Sequence, residues 1–124
     1  MSREILPYRL LDSGNLKKLE QVGPYRLVRP ALNAFWSPEL PEQEWLAADA
    51  VFSRNSDGSG NWKYKSRIPQ SWLAEWGSFN LIMKPTGFGH LGFFAEQYSN
   101  WDFFRTRIGK GDKALNLFGY SGVG

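Results

Sequence analysis

Short alternating runs of apolar and polar residues dominate the first 90 or so positions. YRLL and YRLVR read as two strands, near Tyr8–Leu11 and Tyr25–Arg29. The polar turn Asp12-Ser13-Gly14-Asn15 and the segment Lys18–Val22 lie between them. Pro24 and Pro30 bracket the second strand, where proline costs no ladder hydrogen bond. Pro41, followed by Glu42 and Glu44, suits a first helical turn and predicts a short helix over Glu42–Ala47. AVFSRNSDGSGNWKYKSR reads as strand, turn and strand, with Asn55–Gly60 as a hairpin connection of the longer type. WLAEWGSFNLIMK is a tighter hairpin with Gly77-Ser78 at its tip and Trp72, Ala74 and Trp76 alternating into it.

The period changes at Glu96–Arg107. Apolar residues fall at Tyr98, Trp101, Phe104 and Ile108, the spacing of an amphipathic helix laid on a sheet. Gly109-Lys110-Gly111 ends that helix. Ala114–Phe118 is a buried-type strand, and Gly119–Gly124 is a glycine-rich turn. The fold class expected is α+β: a small antiparallel β-rich module over 1–92, then the first helix and strand of a Rossmann-like domain over 93–124.

Aromatic residues make up 16% of the chain, enough large side chains for a small domain to build a core. Trp62, Trp72 and Trp76 are expected in that core rather than as base-stacking platforms. The net charge is +3 with a pI of about 9.3, and the basic residues flank an acidic middle from Glu39 to Asp57. That pattern describes ordinary solvated surface; it also permits a folded basic face for RNA phosphates. There is no cysteine, hence no disulfide framework and no thiolate metal site. The N-terminus carries no signal-peptide pattern and no stretch is long and apolar enough to span a bilayer, so a cytoplasmic protein with no metal and no membrane partner is expected.

Three glycine motifs invite chemistry. Gly87-Phe88-Gly89-His90-Leu91-Gly92 is a literal G-x-G-x-x-G, but Pro85-Thr86 separates it from the preceding strand and the helix pattern starts after it. It reads as a loop between module and helix. Gly119-Tyr120-Ser121-Gly122 fails as a nucleophile elbow because Val123 stands where glycine is required. His90 is the single histidine and no acid is placed to complete a triad, so it reads as a packing residue. The third motif is the unit LNLFGYSG, in which a strand turns through small residues that let the backbone approach a ligand closely.

LNLFGYSG resembles the cofactor loop of class I S-adenosylmethionine-dependent methyltransferases, in particular the branch that modifies bases of ribosomal RNA, where the loop reads Leu-Asn-x-Phe-x-Tyr-Thr-Gly. Gly92–Trp101 resembles that branch's Gly-x-Phe-Leu-Asp-Gln-Arg-x-x-Arg segment, and YRLLDSGNLKKLEQVGPYRLVRP resembles the N-terminal β module of a subgroup of SAM-dependent methyltransferases. The resemblance covers nearly the whole chain. It implies that Phe118, Gly119, Tyr120, Ser121 and Gly122 wrap the methionine end of S-adenosylmethionine, that Asn116 shapes the turn, and that Glu96 and Gln97 sit near the cofactor. Ser121 replaces threonine; Tyr98 and Trp101 replace two arginines of the RNA branch. It implies RNA as substrate of the parent enzyme. It further implies that these residues end within the cofactor loop and do not transfer methyl groups alone. A stand-alone β-rich module that binds RNA or protein is the alternative.

Overall fold

The computed structural model describes residues 8–76 and 79–117, with Trp76 and Phe79 described by their backbone alone. The fold is α+β, as the sequence reading expects, and the chain divides into two compact units, Met1–Leu91 and Gly92–Gly124.

The first unit is built on a five-stranded sheet in sequential order: β1 (Tyr8–Gly14), β2 (Lys17–Val22), β3 (Tyr25–Pro30), β4 (Ala50–Arg54) and β5 (Gly60–Tyr64). β1, β2 and β3 form an antiparallel meander and β4–β5 an antiparallel hairpin. The β3–β4 pair is parallel, so the module is mixed rather than wholly antiparallel. A parallel pair needs a crossover. Residues 31–49 supply it and carry helix α1 (Glu42–Leu46), with Pro41 at its N-cap and two glutamates in its first turn. β6 (Trp72–Trp76) and β7 (Phe79–Met83) form a separate two-stranded antiparallel sheet whose tip, Gly77-Ser78, lies outside the described residues.

β2 is the strand that the hydrophobic pattern does not announce. KKLEQV carries two apolar residues among four polar ones. Its pairing on both sides, and its burial, make it a strand. The register sorts the sheet into two faces. Leu19 pairs with Val28 on one, where they pack with Ala48 and with Leu11, Trp45 and Val51. Val22, Leu27, Ala50 and Phe52 are buried on the other, where Tyr25 meets Trp72 edge-to-face at 4.9 Å and 69°. Each fully buried Leu or Val contributes about 1.5–3 kcal/mol.

The β1–β2 turn holds two non-glycine residues at positive φ, Asn15 at 49° and Leu16 at 64°. A two-residue hairpin of this hand needs both. The strain at Leu16 is held by the crossover: the Asn15 and Leu16 amides donate to the Trp36 and Ala34 carbonyls, both at 2.8 Å, and the Leu16 carbonyl accepts from Ala31 at 2.8 Å. The crossover runs so close that a Cβ on Gly14 would stand 2.4 Å from the Pro38 nitrogen.

In the second unit a 3-10 turn, Ala95–Gln97, leads into helix α2 (Tyr98–Arg107). Arg105 and Arg107 occupy its last turn, where cations favour the helix dipole. Ile108 is extended and the Gly109 amide donates to the Asp112 carboxylate at 2.8 Å, so the helix stops at the glycines as the sequence suggests. Two expectations are not met. Of the stripe Tyr98, Trp101, Phe104 and Ile108, Trp101 alone is buried. Residues 112–116 carry no regular structure, and Leu115 and Leu117 are 85% and 76% exposed. A strand exists through its ladder. Among the described residues none of the strands belongs to this unit, and 114–117 form no ladder.

Candidate functional site

Glu20 is charged, lies in the middle of β2 and has 0% of its surface exposed. Its alternation places it with Lys18 and Val22, on the face shared by Leu27 and Arg29 of β3. Arg29 answers it with two hydrogen bonds at 2.6 Å, Nε to Oε2 and Nη2 to Oε1. The Tyr8 hydroxyl donates to Oε1 at 2.5 Å, and Lys18 Nζ lies 3.4 Å away. Burial alone would raise the pKa of Glu20. The Arg29 hydrogen bonds and charge, with Lys18 and Tyr8, outweigh it and hold the carboxyl below the ordinary range. Arg29 is correspondingly held more firmly protonated despite its own burial. A carboxylate that is fully buried and kept ionised in this way is closed to a substrate and holds no proton to give. The group is structural.

Its third donor settles the GFGHLG loop. Arg29 Nη1 donates to the Gly89 carbonyl at 3.0 Å. The Gly87 carbonyl accepts from the Gly60 amide at 3.1 Å, and the Thr86 carbonyl accepts from Trp62 Nε1 at 2.8 Å. The Gly89 and His90 amides donate to Thr86, at its carbonyl and its Oγ1. Gly89 has φ 79°, and a Cβ there would meet the Phe52 ring at 2.7 Å. A dinucleotide loop presents free amides to a pyrophosphate at a helix N-terminus. Here two of those amides are spent, and helical residues begin only at Ala95.

Asp12 forms a second polar knot. Its carboxylate accepts from the amides of Ser13, Glu39 and Leu40 at 2.8, 3.3 and 2.9 Å and from Trp45 Nε1 at 3.0 Å. Burial pushes its pKa up, but these four donors bring it below the usual value. The knot ties β1 to the crossover and α1.

Of the residues expected around a cofactor, Glu96 and Gln97 are exposed in the 3-10 turn before α2, where Gln97 Oε1 accepts from Asn100 at 2.8 Å. Asn116 is exposed in the irregular segment after the helix. Phe118, Gly119, Tyr120, Ser121 and Gly122 lie outside the described residues. Among the described residues no cluster of three or more carboxylate or histidine side chains could hold a metal ion, and no helix is long and apolar enough to cross a membrane. The sequence reading passes over Glu20, Arg29 and Asp12. The signal was available for the pair: each stands two residues from a buried apolar residue on its own strand, Glu20 from Val22 and Arg29 from Leu27, so alternation points both inward.

No family model and no curated protein matches the sequence. Among solved structures, the chain superposes over 94% of its length on a crystal structure of the SAM-dependent methyltransferase from Agrobacterium tumefaciens, with a TM-score of 0.83 and 38% sequence identity. The chain spans 38% of that protein's length. Over nearly all of its residues, then, this α+β chain is similar in sequence and in fold to a little over a third of a SAM-dependent methyltransferase.

Proposed function

We propose that these residues are the N-terminal part of an S-adenosylmethionine-dependent methyltransferase whose parent methylates a base in RNA, with ribosomal RNA as the candidate target, in the cytoplasm. The observation that carries the reading is the 38% identity and TM-score of 0.83 to a SAM-dependent methyltransferase across 94% of the chain. In this reading 1–92 form the β-rich module and 93–124 begin the cofactor-binding domain. The residues present suit the methionine end of the cofactor: Glu96 and Gln97 would sit near it, Asn116 would shape the turn, and Phe118, Gly119, Tyr120, Ser121 and Gly122 would form the loop around it. When bound, the cofactor supplies an electrophilic methyl group on a sulfonium. The basic flanks of the sequence favour a polyanionic substrate. In this reading the isolated 124 residues are expected to transfer no methyl group.

The test uses the protein as its source cells make it, with cofactor radiolabelled in the methyl group and total RNA from the same cells. Label in a base of RNA is the expected result. Label in protein or in small molecules alone would remove RNA as substrate, and no transfer to any fraction, with no cofactor binding, would remove the methyltransferase reading. Calorimetric titration of the isolated 124 residues with S-adenosylmethionine is expected to show no micromolar binding.

A further inference from the structure

β5 lies at the edge of the five-stranded sheet and pairs as a strand with β4 alone; at its start the Gly60 amide donates to the Gly87 carbonyl. Its sequence and the residues just after it run Trp62-Lys63-Tyr64-Lys65-Ser66-Arg67, aromatic and basic in alternation. Trp62 and Tyr64 share a face, and their rings stack at 6.5 Å with 19° between planes. Trp62 is fixed from behind by its hydrogen bond to Thr86 and by Phe52 at 5.3 Å. The Tyr64 ring thus lies nearly parallel to an anchored neighbour, and it is 54% exposed. Arg54, on the neighbouring strand, faces the same side as Trp62 and Tyr64.

Lys63, Lys65 and Arg67 are exposed. Among the described residues none of these three, nor Arg54, pairs with a carboxylate: the ion pairs there use Lys18, Arg26 and Arg29. Asp49, close to this strand's end, accepts from the Arg26 amide and the Ser66 hydroxyl. Lys65 Nζ donates to the Leu46 carbonyl at 2.7 Å, which holds the segment without neutralising its charge. At an edge strand, side chains from both faces reach one outside ligand, so cations and ring act together.

We propose that β5 and the residues following it bind single-stranded RNA, with Tyr64 stacking on an unpaired base and Lys63, Lys65 and Arg67 holding phosphates. A flat exposed ring with phosphate-ready cations on either side suits a splayed base. An acidic peptide would use the cations and leave the ring idle. A duplex would bury its base faces from it. The proposal deepens the RNA reading given above and rests on it for the choice of RNA. Trp62, expected in the core, is half-buried against Phe52 and backs the Tyr64 ring from there.

The test is fluorescence anisotropy of a labelled oligouridylate of about 12 nucleotides, within the usual site size of such surfaces, titrated with the 124-residue chain at several salt concentrations. Tyr64→Ala should weaken binding about tenfold and Tyr64→Phe should retain it. Arg67→Gln should lower the slope of log K against log salt by about 0.7. Circular dichroism checks that each variant is folded, and the Arg67→Gln slope decides should Tyr64→Ala fail that check. Absence of saturable binding, indifference to both variants, equal affinity for a fully paired RNA hairpin, or displacement of the RNA by an acidic peptide at equal concentration would each overturn the proposal. Binding through Tyr64 by a protein that labels no RNA would refute the RNA methyltransferase reading and leave this site standing. RNA methylation alongside binding that ignores Tyr64 would do the reverse.

Discussion

Replacing Glu20 by glutamine removes one charge and keeps the shape. In the native protein Oε1 accepts from Arg29 Nη2 and the Tyr8 hydroxyl, and Oε2 from Arg29 Nε. A glutamine has one oxygen, so its NH2 must face at least one of these donors whichever way the amide turns. Arg29, with 14% of its side chain exposed, is then left as a buried cation without a counter-ion. Removing one partner of a buried pair costs about 3–5 kcal/mol. A domain of this size has about 5–15 kcal/mol in all. With a urea m-value of about 1–3 kcal/mol/M, the midpoint should fall by about 1 M or more. The double substitution Glu20→Leu with Arg29→Met should recover most of that loss, because an apolar pair in place of a buried ion pair is often neutral. It still deprives the Gly89 carbonyl of its donor. The pH dependence has a defined sign. The folded pKa of Glu20 is depressed, so its contribution is complete above the ordinary Glu value of about 4.3 and is lost as pH falls through the folded value. Urea melts of wild type and variants at neutral and acid pH give all these quantities. A Glu20→Gln midpoint within about 0.2 M of wild type at neutral pH, where the linear extrapolation still resolves differences, would refute the reasoning.

Asp12→Asn should cost about 1–3 kcal/mol, since all four donors on the carboxylate need acceptors; the depressed pKa makes the wild-type contribution present at neutral pH and lost toward acid, which Trp45 fluorescence against pH would follow. Gly89→Ala should destabilise by more than about 1 kcal/mol, through its positive φ and the Phe52 ring, whereas Gly87→Ala, with nothing within 4 Å of its Cβ, should be within about 0.5 kcal/mol of wild type in the same melts. A dinucleotide site would need both glycines, so equal sensitivity of the two would contradict the packing account. Leu16→Gly should stabilise the chain by up to about 1 kcal/mol, because it relieves a left-handed leucine at an exposed turn and places the favoured asparagine-glycine pair at the hairpin tip; a loss of thermal stability would show that the half-exposed leucine packs more than it strains.

The parts of the fold legible in the sequence are those whose local chemistry agrees with their surroundings. Asn55–Gly60 offers several turn residues together, and the hairpin forms there, with the Asn55 amide donating to the Ser59 carbonyl at 2.6 Å. The alternation Trp72, Ala74 inward, Leu73 outward reports a half-buried strand. α1 begins one residue after its proline. β2 is illegible for the opposite reason. Its central Glu20 lies inside and is tolerable only because Arg29, nine residues on, and Tyr8, twelve residues back, complete it. The parallel β3–β4 pair is likewise set by a crossover of 31–49 that no local signal describes. In the second unit the helix period is real and predicts α2, but periodicity says which residues align and not what covers them; Tyr98, Phe104 and Ile108 align and stay exposed. Of the candidate cofactor site, the structure describes Glu96, Gln97 and Asn116.

The glycines of GFGHLG follow from the buried ion pair rather than from a ligand. Glu20 accepts from Arg29 Nε and Nη2, and Nη1 of this largely buried guanidinium reaches past the carboxylate. An unmet donor on a buried cation costs several kcal/mol, so an acceptor has to come close. The acceptor is a backbone carbonyl sixty residues further along, that of Gly89. Bringing that carbonyl in turns the chain through φ 79° hard against Phe52, a position that only a residue without Cβ fills. The electrostatic sense is the reverse of a phosphate loop: a carbonyl is aimed at a cation, and the neighbouring amides are consumed by Thr86. A G-x-G motif is thus read correctly only when the direction of its carbonyls and amides is known, and in this chain Arg29 fixes that direction.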